Sequence, residues 1–229
     1  MPTFRGEEGL WKDHRPEELA TPSAFRRDPR LVWEWYAWRR RTASGCEPNA
    51  AHLALARWAR DVSGVWIATQ NVDGLHLAAL RAVAGPAGAD GPAPRERLLE
   101  LHGSLFRVRC TGCGRRREHR EEVDASGRET LPRCGSCREL LRPDVVWFGE
   151  SLDPDVLGAA REAALSADVC LVVGTSAVVQ PAASLASVAA GAGAALVEVN
   201  PGATPISDRA DVVLRAGAAE AVPALLADG

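Results

Sequence analysis

Val169-Cys170-Leu171-Val172-Val173-Gly174-Thr175-Ser176 is a run of five apolar residues closed by a glycine and two hydroxyl side chains. So short an apolar run with no polar alternation reads as a strand buried on both faces. Outward from it the pattern repeats. Val65 to Thr69 and Ala195 to Val199 are further apolar runs, and Val212-Val213-Leu214 is a short fourth. Helical periodicity over Pro48 to Asp61, Asp155 to Ser166 and Pro181 to Ala190 separates them. Buried strands alternating with helices predict an α/β fold: a Rossmann-like parallel sheet with helices on both faces. Ligands of such sheets bind beyond the carboxyl ends of the strands. Those ends here are Gln70-Asn71-Val72-Asp73, Gly174-Thr175-Ser176 and Asn200-Pro201-Gly202, all small or polar. Each stretch taken alone reads equally as a turn or a helix cap.

The bulk numbers bound the class. With 229 residues, 46% hydrophobic and 25% charged, the chain suits one globular domain or a large and a small lobe. A formal charge of -3 supplies no overall field for nucleic acid or an anionic membrane. Cys170 to Val199 is broken by Gln180 and Pro181, so it reads as strand, loop, helix and strand, with no membrane span. Met1 to His14 carries charges and no apolar signal region, so a cytoplasmic location is expected. No internal repeat is found. Ala82 to Arg97, rich in Gly, Ala and Pro, reads as an exposed mobile loop.

Two CxxC pairs carry metal chemistry. Cys110-Thr111-Gly112-Cys113 and Cys134-Gly135-Ser136-Cys137 are separated by 20 residues. Two such knuckles can complete a tetrahedral four-thiolate shell with Zn–S bonds of ~2.3 Å. Four protein ligands leave no open position, so one structural Zn²⁺ is expected. A pair of redox dithiols is the alternative. A nucleic-acid-binding zinc ribbon is a second rival, suggested by the basic run Arg115 to Arg120. That run is followed by Glu121, Glu122 and Asp124, which reads as a solvated surface, so no nucleic acid is expected. Cys170 reads as inert core.

In this order and spacing the motifs resemble the sirtuins along nearly the whole chain. The matching segments are Phe4-Arg5-Gly6, Thr69 to His76, Glu100-Leu101-His102-Gly103-Ser104, both CxxC pairs, Pro143 to Glu150, and Gly174-Thr175-Ser176. The resemblance implies an NAD-dependent protein-lysine deacylase, with NAD as co-substrate and acylated-lysine proteins as substrates. It implies that His102 is the catalytic base. Gln70, Asn71 and Asp73 would line the nicotinamide and ribose pocket, and Gly174, Thr175 and Ser176 would contact the adenosine side. Asn200 would hold the adenine ribose, with Ala218 near the adenine. Phe4 and Arg5 belong to the cofactor-binding loop, and Val145, Val146, Trp147 and Phe148 would pair as a strand with the substrate peptide. The implied chemistry begins with attack of the acyl carbonyl oxygen on the ribose carbon as nicotinamide leaves. His102 then takes a proton from a ribose hydroxyl, and the products are free lysine and O-acyl-ADP-ribose. A histidine suits this, since its ordinary pKa of ~6.5 is close to working pH.

One sirtuin subgroup that removes acidic acyl groups carries a Tyr and an Arg three residues apart. Here Trp33 to Arg39 supplies Tyr36 and Arg39, on one helical face. Arginine offers a planar fork matched to a carboxylate, such as ends a malonyl, succinyl or glutaryl group; acetyl offers it no such partner. The bland reading is an amphipathic helix with packed tryptophans and solvated arginines.

The resemblance implies three parts: a helical segment over about 1–50, a Rossmann-like lobe over about 51–105 and 146–229, and a zinc lobe over about 106–145. It also marks a departure. Sirtuins open with a strand and a Gly-Ala-Gly-x-Ser turn before their Pro-x-Phe-Arg-Gly segment, and this sequence opens at Met1-Pro2-Thr3-Phe4-Arg5-Gly6. That strand should lie mid-sheet, so its absence is expected to leave two strands without a partner. Each buried unpaired backbone group costs ~1–3 kcal/mol against a domain stability of ~5–15 kcal/mol. A chain with this start is therefore expected to be weakly stable and to bind NAD weakly; either the true start lies upstream of Met1, or the truncation is real and the enzyme is poor or inactive. The deacylase has two rivals: a non-catalytic acyl-lysine or zinc-ribbon interaction module, and an ADP-ribosyltransferase using the same pocket. A monomer is the expected state.

Overall fold

A computed structural model describes residues 16–84 and 96–227. In chain order its elements are α1 (Pro16–Leu19), α2 (Pro22–Arg27), α3 (Pro29–Ser44), α4 (Ala50–Asp61), β1 (Ile67–Thr69), α5 (Leu75–Val83), β2 (Leu98–Glu100), β3 (Gly103–Cys110) and β4 (Arg116–Glu118). They continue with β5 (Leu141–Val145), α6 (Pro154–Leu165), β6 (Val169–Val173), α7 (Ser184–Gly191), β7 (Ala195–Val199), β8 (Val212–Leu214) and α8 (Ala218–Leu225). Most of the Gly-, Ala- and Pro-rich stretch Ala82 to Arg97 lies outside the described residues, as does Met1 to His14. Two compact units result. One draws on the described parts of Met1–Cys46 with Asn71–Gly74 and His102–Ser151, the other on those of Glu47–Gln70, Leu75–Leu101 and Leu152–Gly229. Among the described residues no helix is long and apolar enough to cross a membrane.

The first unit is α1 to α3 with an antiparallel sheet of order β4-β3-β5. Its helices start where the sequence caps them. Thr21 Oγ1 accepts the Ala24 N–H at 3.1 Å, and Asp28 Oδ1 accepts that of Leu31 at 3.0 Å. Each cap is followed by a proline in the first turn, where its missing N–H costs nothing. The inner face of α3 buries Val32, Trp33, Tyr36, Arg39, Arg40 and Ala43, which recur at three- and four-residue spacing. The apolar members pack with Leu105, Val108, Leu131, Leu141 and the two buried cysteines in one core. Trp33 is fully buried and its indole N–H donates to the Leu141 carbonyl at 2.9 Å, tying helix to sheet. Trp33→Phe removes that donor and is expected to cost about 1–3 kcal/mol. At roughly 2–4 °C per kcal/mol for a chain of this size, the melting temperature should fall by several degrees in calorimetry. An unchanged melting temperature would show that the indole N–H contributes nothing.

The second unit holds the parallel strands with α4 to α8. β1 pairs with β2, and β6 pairs with β7, which pairs with β8, all parallel. The parallel βα character is as expected, but the strands form two sets: order β1-β2 and order β6-β7-β8. Among the described residues β1 and β6 each have a strand neighbour on one side only. The burial corrects the expectation of fully buried strands: Val169 is 50% exposed, Trp66 is 46% exposed, and the rest of β6 is half-buried. An edge strand shields its own side chains less than a central one does. Apolar packing is distributed accordingly. Ala56, Ala59, Leu77 and Leu80 cover Ile67 and Leu98, while Ala51, Ala54, Ala221 and Val222 cover Val199.

Candidate functional site

The four motif cysteines converge. Their sulfurs all lie within 4.8 Å of one another, with Cys110–Cys137 at 3.3 Å and Cys113–Cys134 at 3.7 Å. The edge of a tetrahedron with ~2.3 Å bonds is about 3.8 Å, so this set fits one zinc ion. The two knuckles share a backbone form. The Gly114 N–H reaches the Cys110 carbonyl at 3.2 Å, and the Arg138 N–H reaches that of Cys134 at 3.0 Å. Both residues take positive φ, 70° and 66°, which closes each knuckle behind its second cysteine. Backbone N–H groups of Cys137 and Ser136 pull the Cys134 thiol down to about 6. The Glu139 N–H favours a thiolate at Cys137 too, but hydrogen bonding to Cys110 and the adjacent sulfurs outweighs it and leaves that thiol at about 11. Four sulfurs this close cannot all ionise together without a cation among them. A redox dithiol needs only two, so the convergence of all four favours metal.

His102 lies where β3 begins, in the same unit. Gly103 follows it at φ +81°, and a Cβ there would sit 2.0 Å from the Asp144 carbonyl oxygen, so only glycine fits this crossing. The His102 carbonyl accepts the Val146 N–H at 2.9 Å, and the Val72 carbonyl accepts the Leu105 N–H at 2.9 Å. One strand start thus carries His102 and holds both the loop with Asn71 and Asp73 and the segment Val145–Phe148. Asp73 is buried, and Gly74 (φ +76°) turns the chain against the Phe106 ring.

Tyr36 and Arg39 do not face water, contrary to the bland reading of α3. Tyr36 is fully buried and Arg39 is 3% exposed. The Arg39 guanidinium lies 4.8 Å over the Trp35 ring and 5.4 Å over that of Tyr36. Burial pulls its pKa below the usual arginine range, while the charges of Tyr36 and Asp73 oppose the fall. Burial likewise raises the Tyr36 phenol.

The segment Val145–Phe148, expected to pair with the substrate peptide, has three of its backbone N–H groups bonded within the chain. Val145 ends β5 opposite Gly103. The N–H groups of Val146, Trp147 and Phe148 bond internally to the His102 carbonyl, to Glu150 Oε2 and to the Ala20 carbonyl, each at 2.9 Å. A substrate strand would find these three donors already used. Phe148 is half-exposed, and its neighbour Trp147 is buried.

In the second unit the strand-end loops meet at Thr175. Its Oγ1 accepts from Gln70 Nε2 at 3.2 Å and from the Ala177 N–H at 3.2 Å. Its carbonyl accepts from Asn200 Nδ2 at 2.7 Å. Gly174, at φ +61°, donates its N–H to the Val199 carbonyl at 2.9 Å. The carboxyl ends of β1, β6 and β7 are thereby bound together by Gln70, Thr175 and Asn200. Ser176 follows in the same turn, and Ala218 opens α8, half-buried against the Val199 cluster. Phe4 and Arg5 lie outside the described residues.

Sequence reasoning missed Glu198. It is 1% exposed, and its carboxylate accepts from Thr204 Oγ1, from Ser207 Oγ at 2.7 Å and from Arg215 Nη1 at 3.0 Å. Arg215 also donates to the Gly202 carbonyl at 2.7 Å, so this cluster shapes the loop that carries Asn200. A lone acid inside the apolar run Ala195 to Val199 was the available signal.

The Sir2 family model matches residues 1–181. The chain is 48% identical over 220 residues to NAD-dependent protein deacylase 1 of Caldanaerobacter subterraneus subsp. tengcongensis, covering 96% of this chain and 84% of that one. It is 46% identical over 212 residues to the NAD-dependent protein deacylase of Aquifex aeolicus, covering 93% and 82%. Among solved structures, a Sir2 homolog in complex with NAD aligns at 44% identity with a TM-score of 0.84, over 99% of this chain and 82% of that one. The ADP-ribose complex of a mutant Sir2 homologue aligns at 45% and 0.87, over 99% and 84%. Motif order, the cysteine cluster and these likenesses agree, and the chain belongs to the Sir2 family.

Proposed function

We propose that this chain is an NAD-dependent protein-lysine deacylase that prefers acyl groups ending in a carboxylate, such as succinyl and malonyl. The observation that carries the preference is the burial of Tyr36 and Arg39 one helical turn apart on α3, with Asp73 within electrostatic reach. A guanidinium is retained in a buried place at a desolvation cost, which a carboxylate of the substrate would offset by charge-assisted hydrogen bonds. NAD supplies the electrophilic ribose carbon and the nicotinamide leaving group. The strand ends at Gly174, Thr175, Ser176 and Asn200 fit its adenosine side, offering small residues and hydroxyl and amide groups already held in place, with Gln70 bonded to Thr175 on the way to the nicotinamide and ribose end. Asn71 and Asp73 take the nicotinamide and ribose end, and His102 accepts the ribose hydroxyl proton. Val145–Phe148 meets the peptide through its exposed face, with Phe148 covering the lysine stem. The four cysteines would hold one structural zinc, which takes no direct part in the chemistry.

The test compares release of free lysine peptide from succinyl-lysine and acetyl-lysine peptides with NAD. Succinyl should be preferred in kcat/KM. Arg39→Met should cut the succinyl-to-acetyl ratio about 10- to 100-fold, since a hydrogen bond to a charged group contributes ~1.5–3 kcal/mol. A ratio untouched by Arg39→Met would sink the acyl preference. Transfer of labelled ADP-ribose to protein without deacylation would favour the transferase reading, and peptide binding without turnover the interaction module.

A further inference from the structure

We infer that Trp147 is a specificity-determining residue for acidic acyl groups, with Glu150 and Arg142 as the positioning residues that hold it. The inference rests on the acyl preference proposed above and assigns to these residues the part of setting the direction in which Tyr36 donates.

An indole N–H can only donate, and a phenol has one proton and one oxygen. Trp147 Nε1 lies 2.8 Å from the Tyr36 hydroxyl, both groups buried. The Tyr36 oxygen must therefore accept there. The Arg39 guanidinium carbon lies 5.4 Å from the Tyr36 ring centroid, and a guanidinium too can only donate. Two donor-only neighbours leave the single Tyr36 proton directed at neither. In a buried site that proton gains most from an acceptor, and a carboxylate at the end of an acyl chain is a strong one. Were residue 147 unable to donate, the Tyr36 oxygen would lose one of the partners that fix its orientation.

Trp147 is itself held on every side. Glu150 Oε2 accepts its backbone N–H at 2.9 Å. The same carboxylate grips Arg142 with two bonds, 2.6 and 2.9 Å, and takes a third from Arg109 at 3.2 Å. Arg142, 5% exposed, lays its guanidinium carbon 3.2 Å from the Trp147 ring centroid and donates to the Val145 carbonyl at 2.8 Å. The Phe25 ring packs at 5.4 Å. A cation on the indole face draws electron density toward itself, which makes the ring N–H a better donor. The chain of contacts runs Glu150, Arg142, Trp147, Tyr36, and each link joins groups that are largely removed from water.

Trp147→Phe keeps an aromatic ring and removes only the N–H and part of the area. It is expected to lower the succinyl-to-acetyl kcat/KM ratio about three- to tenfold, the range of one neutral hydrogen bond, with the change falling on KM for the succinyl peptide. Glu150→Gln, which weakens the hold on Arg142, should move the ratio in the same direction, and it reads the same chain of contacts should Trp147→Phe fail to fold. Tyr36 is the only tyrosine of the chain. A single ¹³Cζ-tyrosine label therefore gives one NMR resonance, which a succinyl-lysine peptide without NAD should shift in the wild type and shift less in Trp147→Phe. A wild type that prefers succinyl, with a ratio unchanged in both variants, overturns the role of Trp147 and leaves the acyl preference standing. A wild type with no preference overturns both.

Discussion

Serine in place of Cys134 is expected to strip the metal and melt the core of the first unit. A structural zinc site contributes about 10–16 kcal/mol of apparent binding energy at neutral pH, which equals or exceeds a typical domain stability of ~5–15 kcal/mol. The site is not peripheral here. Cys110 and Cys134 are buried and belong to the same apolar core as Trp33, Tyr36, Leu105, Val108 and Trp147. Losing the ion would leave sulfurs crowded within 4.8 Å without a counter-charge, and the two knuckles would be free to part. The wild type should carry one zinc per chain by elemental analysis. Cys134→Ser should carry little or none and lose its cooperative thermal transition, and a strong chelator should do the same to the wild type. A Cys134→Ser chain that still melts cooperatively at the wild-type temperature would remove the case for a structural metal, and a metal-free wild type with reversible thiol oxidation would restore the redox alternative.

The sequence made the strand ends and the cysteine spacing legible because both are local signals. An apolar run followed by Gly-Thr-Ser, or a CxxC pair, carries its meaning within a few residues. What it did not disclose depends on pairings distant along the chain. Trp33 meets Leu141 across 108 residues, and Trp147 meets Tyr36 across 111. No periodicity announces either. That two parallel strands lack a neighbour was expected, and among the described residues β1 and β6 are the two; which strand hydrogen-bonds to which within β1-β2 and β6-β7-β8 is a matter of topology and emerges only in three dimensions. The acceptors of the Val146, Trp147 and Phe148 N–H groups were not legible for the same reason, since they come from His102, Glu150 and Ala20. Glu198 was overlooked for a different reason. A charge inside an apolar strand usually marks an exposed face, and only its three donors, all C-terminal to it, explain why it is buried.

The other large effect concerns His102. Its alanine variant should form deacylated peptide about 10²- to 10⁴-fold more slowly, the usual contribution of a positioned general base. The loss should fall on kcat, because binding of peptide and of NAD rests on other residues. The fold should be spared. The structural need at this crossing is met by Gly103, whose missing Cβ clears the Asp144 carbonyl, and by the backbone of His102, whose carbonyl holds Val146. Alanine preserves both, so zinc content and melting temperature should stay near wild type, which separates a chemical loss from unfolding. The pH profile adds a sign. A base works only when unprotonated, so wild-type kcat should fall as the solution becomes more acidic, and the variant's residual rate should lack that limb. His102→Ala with an undiminished rate would move the proton transfer elsewhere, and Asp73, buried and carried by the loop bonded to the same strand, is the next acceptor to test.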